Sequence, residues 1–116
     1  MGTPPFAVPT LNALHENGYD IPMVVTQPDR PRGRGRKLAP PAVKALAQNL
    51  GYRVLQPSSI KTADFSSLIS KLKPDFLVVI AYGKILPENL LALPRLGTIN
   101  VHASLLPRWR GAAPIQ

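Results

Sequence analysis

A continuous apolar run at residues 76–81, FLVVIA, constrains the fold of this chain more than any other feature. An amphipathic helix or a half-buried strand alternates apolar and polar side chains, whereas this run has no polar position on either face. Such a run is typical of a strand in a parallel sheet, because helices cover both faces of that kind of sheet. The run therefore predicts an interior strand of an α/β domain.

The rest of the chain alternates between helix and strand patterns. Thr3 is predicted to cap a first helix, with Pro4 at its first position and Gly18 at its end. The other predicted helices cover residues 41–50, 64–72 and 87–93, and a further one begins at 112–116; the other predicted strands cover 21–26, 53–55 and 98–102. Residues 27–40 and 105–111 are predicted to be loops, since the prolines and glycines of the first disfavour helix and ladder alike. This alternation predicts an α/β fold with a doubly wound, mainly parallel sheet.

The two ends of the chain depart from that pattern. A domain of this kind normally begins with a strand that leads into the first glycine turn, yet the first glycine here is Gly2. We expect the first strand to be missing, with Met1 as its last residue, and the far end to stop inside an element at 112–116. The expectation is one partial domain, incomplete at both ends.

Composition and charge narrow the classes of protein that fit. The chain has 116 residues, no cysteine, no segment long and apolar enough to span a membrane, and no signal-peptide pattern in its opening ten residues. We therefore expect one globular, cytoplasmic domain without disulfides or cysteine zinc sites. The net charge is +8, and residues 30–37 contain five of the fourteen Lys and Arg side chains. This balance predicts a polyanionic partner, with nucleic acid ahead of an anionic membrane surface.

Asn100 and His102 form the first candidate catalytic pair. Residues two apart on a strand point to the same face, and this pair ends a predicted parallel strand, where open α/β sheets bind their ligands. An amide can donate a hydrogen bond to a developing oxyanion, and an imidazole can move a proton from an amine. Acyl transfer to an amine needs both roles. The alternative is structural, with Asn100 capping a strand end and His102 buried; His15 receives only a structural interpretation, without a partner.

Two further segments are candidates for binding. Residues 81–87, AYGKILP, place a glycine directly after the buried strand, where the backbone can turn tightly beside a ligand. Residues 26–37, TQPDRPRGRGRK, alternate arginine with glycine, and each guanidinium can grip a phosphate through two donors. The structural alternatives are a plain strand-to-helix turn for the first segment and a solvated basic loop for the second.

The run INVHASLLPRWRGAAPIQ at residues 99–116 resembles the signature of the formyltransferase family that uses 10-formyltetrahydrofolate. The resemblance implies a Rossmann-like formyltransferase fold, in which Asn100 stabilises the tetrahedral oxyanion and His102 assists proton transfer. It also implies that the backbones of Ile85 and Leu86 contact the pterin ring edge. It implies a tetrahydrofolate-contacting loop made of Ser104, Leu105, Leu106 and Pro107. The formyl donor is a co-substrate, and no metal is implied.

The basic segment at residues 26–37 indicates which members of this family the chain resembles. Its QPDRPRGRG sequence is similar to an insertion in the family members that act on initiator methionyl-tRNA, where the insertion contacts the acceptor end. The residues expected to bind tRNA are Arg32, Arg34, Arg36 and Lys37. The implied reaction moves a formyl group from 10-formyltetrahydrofolate to the amino group of methionine on initiator tRNA, and we expect a monomer. Two alternatives stay open: a folate-dependent formyltransferase or hydrolase with a small-molecule acceptor, and a non-catalytic RNA-binding module.

The chain departs from the family pattern in three places. We expect the first strand and the C-terminal tRNA-binding domain to be absent from this chain, and the family's catalytic Asp has no position among these residues. We therefore expect residues 1–116 to be a partial catalytic domain that is inactive by itself.

Overall fold

The computed structural model describes residues 1–32 and 37–101. The helices are α1 (Val8–Glu16), α2 (Ala42–Asn49), α3 (Ala63–Leu72) and α4 (Glu88–Leu91), with a 3-10 helix at Pro5–Ala7. The strands are β1 (Val24–Val25), β2 (Arg30–Arg32), β3 (Lys37–Ala39), β4 (Val54–Leu55), β5 (Leu77–Ile80) and β6 (Thr98–Val101). The predicted alternation of helices and strands is confirmed within these ranges. The predicted loop at 105–111 and helix from 112 lie outside the described residues.

A parallel sheet is assembled from two strand pairs and the first two residues. β1 pairs with β4 and β5 pairs with β6, both in parallel. Met1 and Gly2 lie between the two pairs: the Gly2 amide donates to the Val25 carbonyl at 3.0 Å, and the Ile80 amide donates to the Met1 carbonyl at 2.8 Å. Gly2 and Ile80 also form a parallel bridge. The order across the sheet is therefore β4, β1, residues 1–2, β5, β6, and Met1 occupies the predicted end of a strand.

Each face of this sheet is covered by a separate apolar core. Val24 and Ile80 pack with Leu11 of α1 and with Val43 and Ala47 of α2 on one face. The opposite face has its own core, whose buried members are Val25, Ile60, Phe65, Ile69, Leu77, Val79, Tyr82 and Leu90. Neighbouring strand residues alternate between the two cores, as Val24 and Val25 do, because successive strand side chains point to opposite faces. The doubly wound, mainly parallel arrangement that the sequence predicted is thus confirmed.

Local sequence explains where α3 begins and ends. The Thr62 hydroxyl accepts a hydrogen bond from the Phe65 amide at 3.1 Å, which satisfies one of the free amides of the first turn. Phe65 and Ile69 are four residues apart, so they lie on one helix face, and both are buried. Lys73 follows in the left-handed conformation, with φ at 50°, immediately before Pro74. The predicted end of this helix before Pro74 is therefore confirmed.

Two local predictions are wrong. Thr3 does not cap a helix: Pro4 is the N-cap of the 3-10 helix, and the Thr3 hydroxyl donates to the Tyr82 carbonyl at 3.2 Å. Residues 27–40 are not all loop, because β2 and β3 pair as an antiparallel hairpin with Pro31 opposite Leu38. In a two-stranded ribbon every second residue turns its N–H away from the partner strand, so a proline is tolerated there.

Candidate ligand site at the carboxyl edge of the sheet

Polar side chains converge where the parallel strands end. Gln27 follows β1, Gln56 follows β4, Tyr82 follows β5, and Asn100 lies next to the last residue of β6. Because the strands are parallel, their carboxyl ends meet at one edge of the sheet, which is where open α/β sheets bind ligands.

Gln27 is the centre of a buried hydrogen-bond network at this edge. Its side chain amide donates to the Tyr82 carbonyl at 2.8 Å, and its main-chain amide donates to the Thr3 hydroxyl at 3.4 Å. The residue is only 4% exposed. Gly83 has φ at +95°, and a Cβ there would lie 2.9 Å from the Gln27 side-chain nitrogen. Glycine is therefore required at this turn, both for its conformation and for the close approach of Gln27.

A second set of contacts ties the root of the hairpin to the same edge. The Gln56 side chain donates to the Gln27 carbonyl at 3.0 Å and to the Asp29 carboxylate at 2.6 Å. The Lys44 ammonium of α2 donates to both Asp29 oxygens, at 3.1 and 3.2 Å. The hydrogen bond from Gln56 and then the one from Lys44 hold the pKa of the Asp29 carboxyl below its usual value. Asp29 is therefore ionised at neutral pH.

Tyr82 combines an apolar setting with a polar group. The residue is 2% exposed and packs in the core beside α3 and α4. Its hydroxyl has no hydrogen-bond partner among the described residues. Burial raises the pKa of this phenol, so it stays protonated at neutral pH.

The turn after β5 presents backbone and apolar surface at the edge. Ile85 is 88% exposed, whereas Leu86 is half-buried against the core. Within the described part of the chain, no backbone hydrogen bond involves either residue. Lys84 links this turn to the segment after β4, because its ammonium donates to the Ser58 carbonyl at 3.2 Å. The segment can thus offer free amide and carbonyl groups beside an apolar side chain.

The structure brings some of the predicted site residues to this edge. Asn100 is exposed and pairs with Val79, so it lies near the carboxyl end of β6, on the strand next to the one that leads to Ile85 and Leu86. In the hairpin, Arg32 lies opposite Lys37. The other predicted residues lie outside the described ranges: His102, Ser104, Leu105, Leu106, Pro107, Arg34 and Arg36.

Sequence reasoning missed the residues that organise the edge. Gln27 is the second residue after β1 and Gln56 the first after β4. Both follow a short apolar strand and precede a proline, which is a usable signal for a polar strand end. Asp29 and Lys44 carry no such signal, because their contact spans fifteen residues. His15 was also left without a partner, whereas its Nδ1 is hydrogen-bonded to the Tyr52 hydroxyl.

The described residues also bear on metal sites and on membrane-spanning helices. Among residues 1–32 and 37–101, no cluster of three or more His, Cys, Asp or Glu side chains is arranged to hold a metal ion. No helix in those ranges is both long and apolar enough to span a bilayer.

A doubly wound, mainly parallel sheet with a polar network at its carboxyl edge defines a Rossmann-like α/β domain. The sequence profile described as Formyl transferase matches residues 1–116, and the chain belongs to that family. It is 61% identical over 115 residues to a methionyl-tRNA formyltransferase of Pelotomaculum thermopropionicum. It is 58% identical to the one from Geobacter metallireducens and 59% identical to the one from Pseudomonas putida strain GB-1. Each alignment covers 99% of this chain and 37% of the relative, so the chain spans little more than a third of the relatives' length.

Proposed function

We propose that this chain is part of the catalytic domain of an enzyme that formylates initiator methionyl-tRNA, with 10-formyltetrahydrofolate as the formyl donor. The observation that supports this most is the identity of 55–61% to proteins named methionyl-tRNA formyltransferase along 99% of the chain. We expect the enzyme to act in the cytoplasm as a monomer.

Asn100 and His102 are the proposed catalytic residues. When the methionine amine attacks the formyl carbon, negative charge develops on the formyl oxygen, and the Asn100 carboxamide can donate a hydrogen bond to it. The attacking nitrogen must lose a proton, which the His102 imidazole can accept. As the oxyanion collapses, the bond between the formyl carbon and the folate nitrogen breaks, that nitrogen takes up a proton, and tetrahydrofolate leaves. Exposure of Asn100 at the carboxyl end of β6 supports the first role, because a donor must be accessible to the reacting atoms.

The proposed folate site includes the turn after β5, the strand that pairs with the Asn100 strand β6. A pterin is flat and has donors and acceptors along one edge, so it needs free backbone groups next to an apolar surface. The backbone of Ile85 and Leu86, which makes no backbone hydrogen bond to residues 1–32 or 37–101, fits that requirement together with the exposed Ile85 side chain. The remaining proposed contacts come from Ser104, Leu105, Leu106 and Pro107.

The basic hairpin is the proposed tRNA contact. Arg32 and Lys37 lie opposite each other in the register of β2 and β3, and Arg34 and Arg36 lie between them in the sequence, so four cationic residues occur within residues 32–37. Phosphate contacts of this kind position an RNA without reading its bases. A small-molecule acceptor gives no reason for such a hairpin.

The experiment that tests the proposal supplies the full-length protein with 10-formyltetrahydrofolate and one of two acceptors. These are initiator methionyl-tRNA and a panel of small amines that includes free methionine and an amino sugar nucleotide. Formylation of methionyl-tRNA is expected. If only a small amine is formylated, methionyl-tRNA is not the acceptor and a small molecule takes its place in the proposal. Binding of tRNA without any formyl transfer would favour an RNA-binding module.

A further inference from the structure

The two ends of the β2–β3 hairpin connect to the rest of the domain at positions that are close in the sequence. β2 begins directly after Asp29, and β3 ends at Ala39, three residues before α2 begins. A two-stranded hairpin is marginally stable in water when it stands alone. The direction of its basic residues therefore depends on how its root is held.

Three side chains hold that root, and we call them the clasp: Asp29, Lys44 and Gln56. Asp29 lies on the incoming side of the hairpin, Lys44 lies on α2 at its outgoing side, and Gln56 follows β4. The side chains of Asp29 and Lys44 are only 29% and 18% exposed, so their ion pair is better shielded from water than a surface pair. Gln56 closes the third side through its 2.6 Å hydrogen bond to Asp29.

The clasp is continuous with the network of the candidate site. Gln56 also donates to the Gln27 carbonyl, and Gln27 in turn donates to the Tyr82 carbonyl, two residues before Lys84 and three before Ile85. The hairpin root and the turn after β5 are thus joined through the side chains of Gln56 and Gln27.

We propose that the clasp is a positioning device that presents the cations of the β2–β3 hairpin to an RNA acceptor in one orientation. This inference rests on the proposed function, since it assigns the clasp to RNA binding. A hairpin held in one orientation loses less conformational freedom when the RNA binds, which lowers the KM for that substrate. Asp29, Lys44 and Gln56 are positioning residues: they act through the hairpin and do not contact the reacting atoms.

Charge gives this proposal a test with a definite sign. Asp29→Asn adds one positive charge to a chain of net charge +8, and Lys44→Met removes one. If the clasp residues acted only through long-range attraction, the first change would strengthen tRNA binding and the second would weaken it. The clasp predicts that both changes weaken it, because each one breaks the Asp29–Lys44 contact.

The experiment compares four variants of the full-length enzyme. Asp29→Asn is matched by Asp75→Asn, which makes the same charge change in an exposed surface pair with Arg95. Lys44→Met is matched by Lys71→Met, on α3 at the opposite face of the sheet. The measurements are kcat and KM for methionyl-tRNA, KM for 10-formyltetrahydrofolate, and amide hydrogen exchange of β2 and β3.

Both clasp variants are expected to raise KM for methionyl-tRNA about 10-fold or more, with kcat and folate KM near wild type and with faster exchange in β2 and β3. The two matched variants are expected neither to raise the KM for methionyl-tRNA nor to speed exchange in β2 and β3. A KM that moves in opposite directions in Asp29→Asn and Lys44→Met, or hairpin exchange equal to that of the matched variants, would overturn the clasp. A wild-type enzyme that does not formylate methionyl-tRNA would overturn the proposed function instead, and the exchange data would still decide whether the clasp holds the hairpin.

Discussion

At the scale of single residues, the proposed catalytic roles of Asn100 and His102 can be tested one side chain at a time. A role confined to the transition state leaves ground-state binding intact. We expect Asn100→Asp to lower kcat about 100-fold or more, because a carboxylate cannot donate to the oxyanion. His102→Ala should likewise lose most turnover. Steady-state kinetics and folate titration of the full-length enzyme measure both effects.

Asn49→Asp is the matched control for that substitution. It makes the same chemical change on the exposed end of α2, away from the carboxyl edge. Its kcat should stay near wild type. Near wild-type kcat in Asn100→Asp or His102→Ala at saturating folate would remove the catalytic assignment of that residue.

Tyr82 supplies a prediction on stability. Its buried hydroxyl has no hydrogen-bond partner in the part of the chain that the structure describes. A hydroxyl in this setting loses its hydration and regains nothing, so its removal costs little. We expect Tyr82→Phe to leave the free energy of unfolding unchanged or to raise it by up to about 1 kcal/mol. Tyr52→Phe is the control, because it deletes a hydroxyl that is hydrogen-bonded to His15 and should lower stability by roughly 0.5–1 kcal/mol. Thermal or urea unfolding measures both; a clear loss of stability in Tyr82→Phe would mean that its hydroxyl is hydrogen-bonded in solution.

At the scale of elements, the β2–β3 hairpin is tested by its central arginine. Arg34 lies between Gly33 and Gly35, where a backbone can approach a phosphate most closely. Arg34→Ala should lower kcat/KM for methionyl-tRNA and leave folate affinity unchanged. The dependence of tRNA binding on salt should become shallower by about one counterion, since each lost phosphate contact removes about one.

Arg95→Ala is the control for the hairpin. Arg95 is exposed, and its pairing with Asp75 lies outside the hairpin. Values of kcat/KM for methionyl-tRNA at two salt concentrations separate the variants. If Arg34→Ala matches the wild type in both value and salt slope, the hairpin has no role in tRNA binding and the choice of acceptor is reopened.

The root of the hairpin should respond to pH through Asp29. The pKa of this carboxyl is lowered in the folded state from its ordinary value of 3.8, so the ionised form is favoured by folding. Its contribution to stability is therefore present above about pH 3.8 and is lost as the pH falls through the folded-state pKa. We expect Asp29→Asn to have a lower Tm than wild type at neutral pH and a difference that shrinks on acidification.

Asp75→Asn again provides the comparison, because exposed ion pairs contribute little to stability. Thermal unfolding over a series of pH values measures the difference for each variant. A difference for Asp29→Asn that is constant or grows toward acid pH would contradict the assigned ionisation.

At the scale of the whole molecule, the sheet depends on Gly2. A Cβ at this position would lie 3.0 Å from the Ile80 carbonyl oxygen and 3.1 Å from the Ala7 Cβ. Because the carbonyl belongs to the backbone of β5, the sheet itself must shift to accommodate it. Gly2→Ala should therefore lower the free energy of unfolding by about 1–3 kcal/mol. Amide exchange should become faster in both β1 and β5.

Gly18→Ala separates this effect from ordinary glycine strain. Gly18 has φ at +77° and open space around it, so its substitution costs about 1–2 kcal/mol of local strain. It should leave exchange in β1 and β5 unchanged. Equal exchange patterns in the two variants would show that residues 1–2 do not join the strand pairs.

The sequence by itself determined the elements whose signals are local. The apolar run at 76–81 specified a buried parallel strand, and β5 lies within it with alternating side chains in two cores. The helix from 64 to 72 could be predicted because its regularly spaced apolar residues and the proline that follows them lie close together in the sequence. The family could be named from residues 99–116 for the same reason, since the motif is one continuous stretch.

The tertiary structure alone decided how these pieces join. The Gln27–Tyr82 hydrogen bond spans 55 residues and the Gln56–Asp29 bond spans 27, and neither leaves a periodic trace in the sequence. The hairpin was predicted as a loop because prolines and glycines disfavour a ladder locally, whereas pairing between β2 and β3 and the clasp at their root oppose that preference. The hydrophobic periodicity of a segment shows which face of a helix or strand is buried. It does not show which distant amide or carboxylate that element will contact.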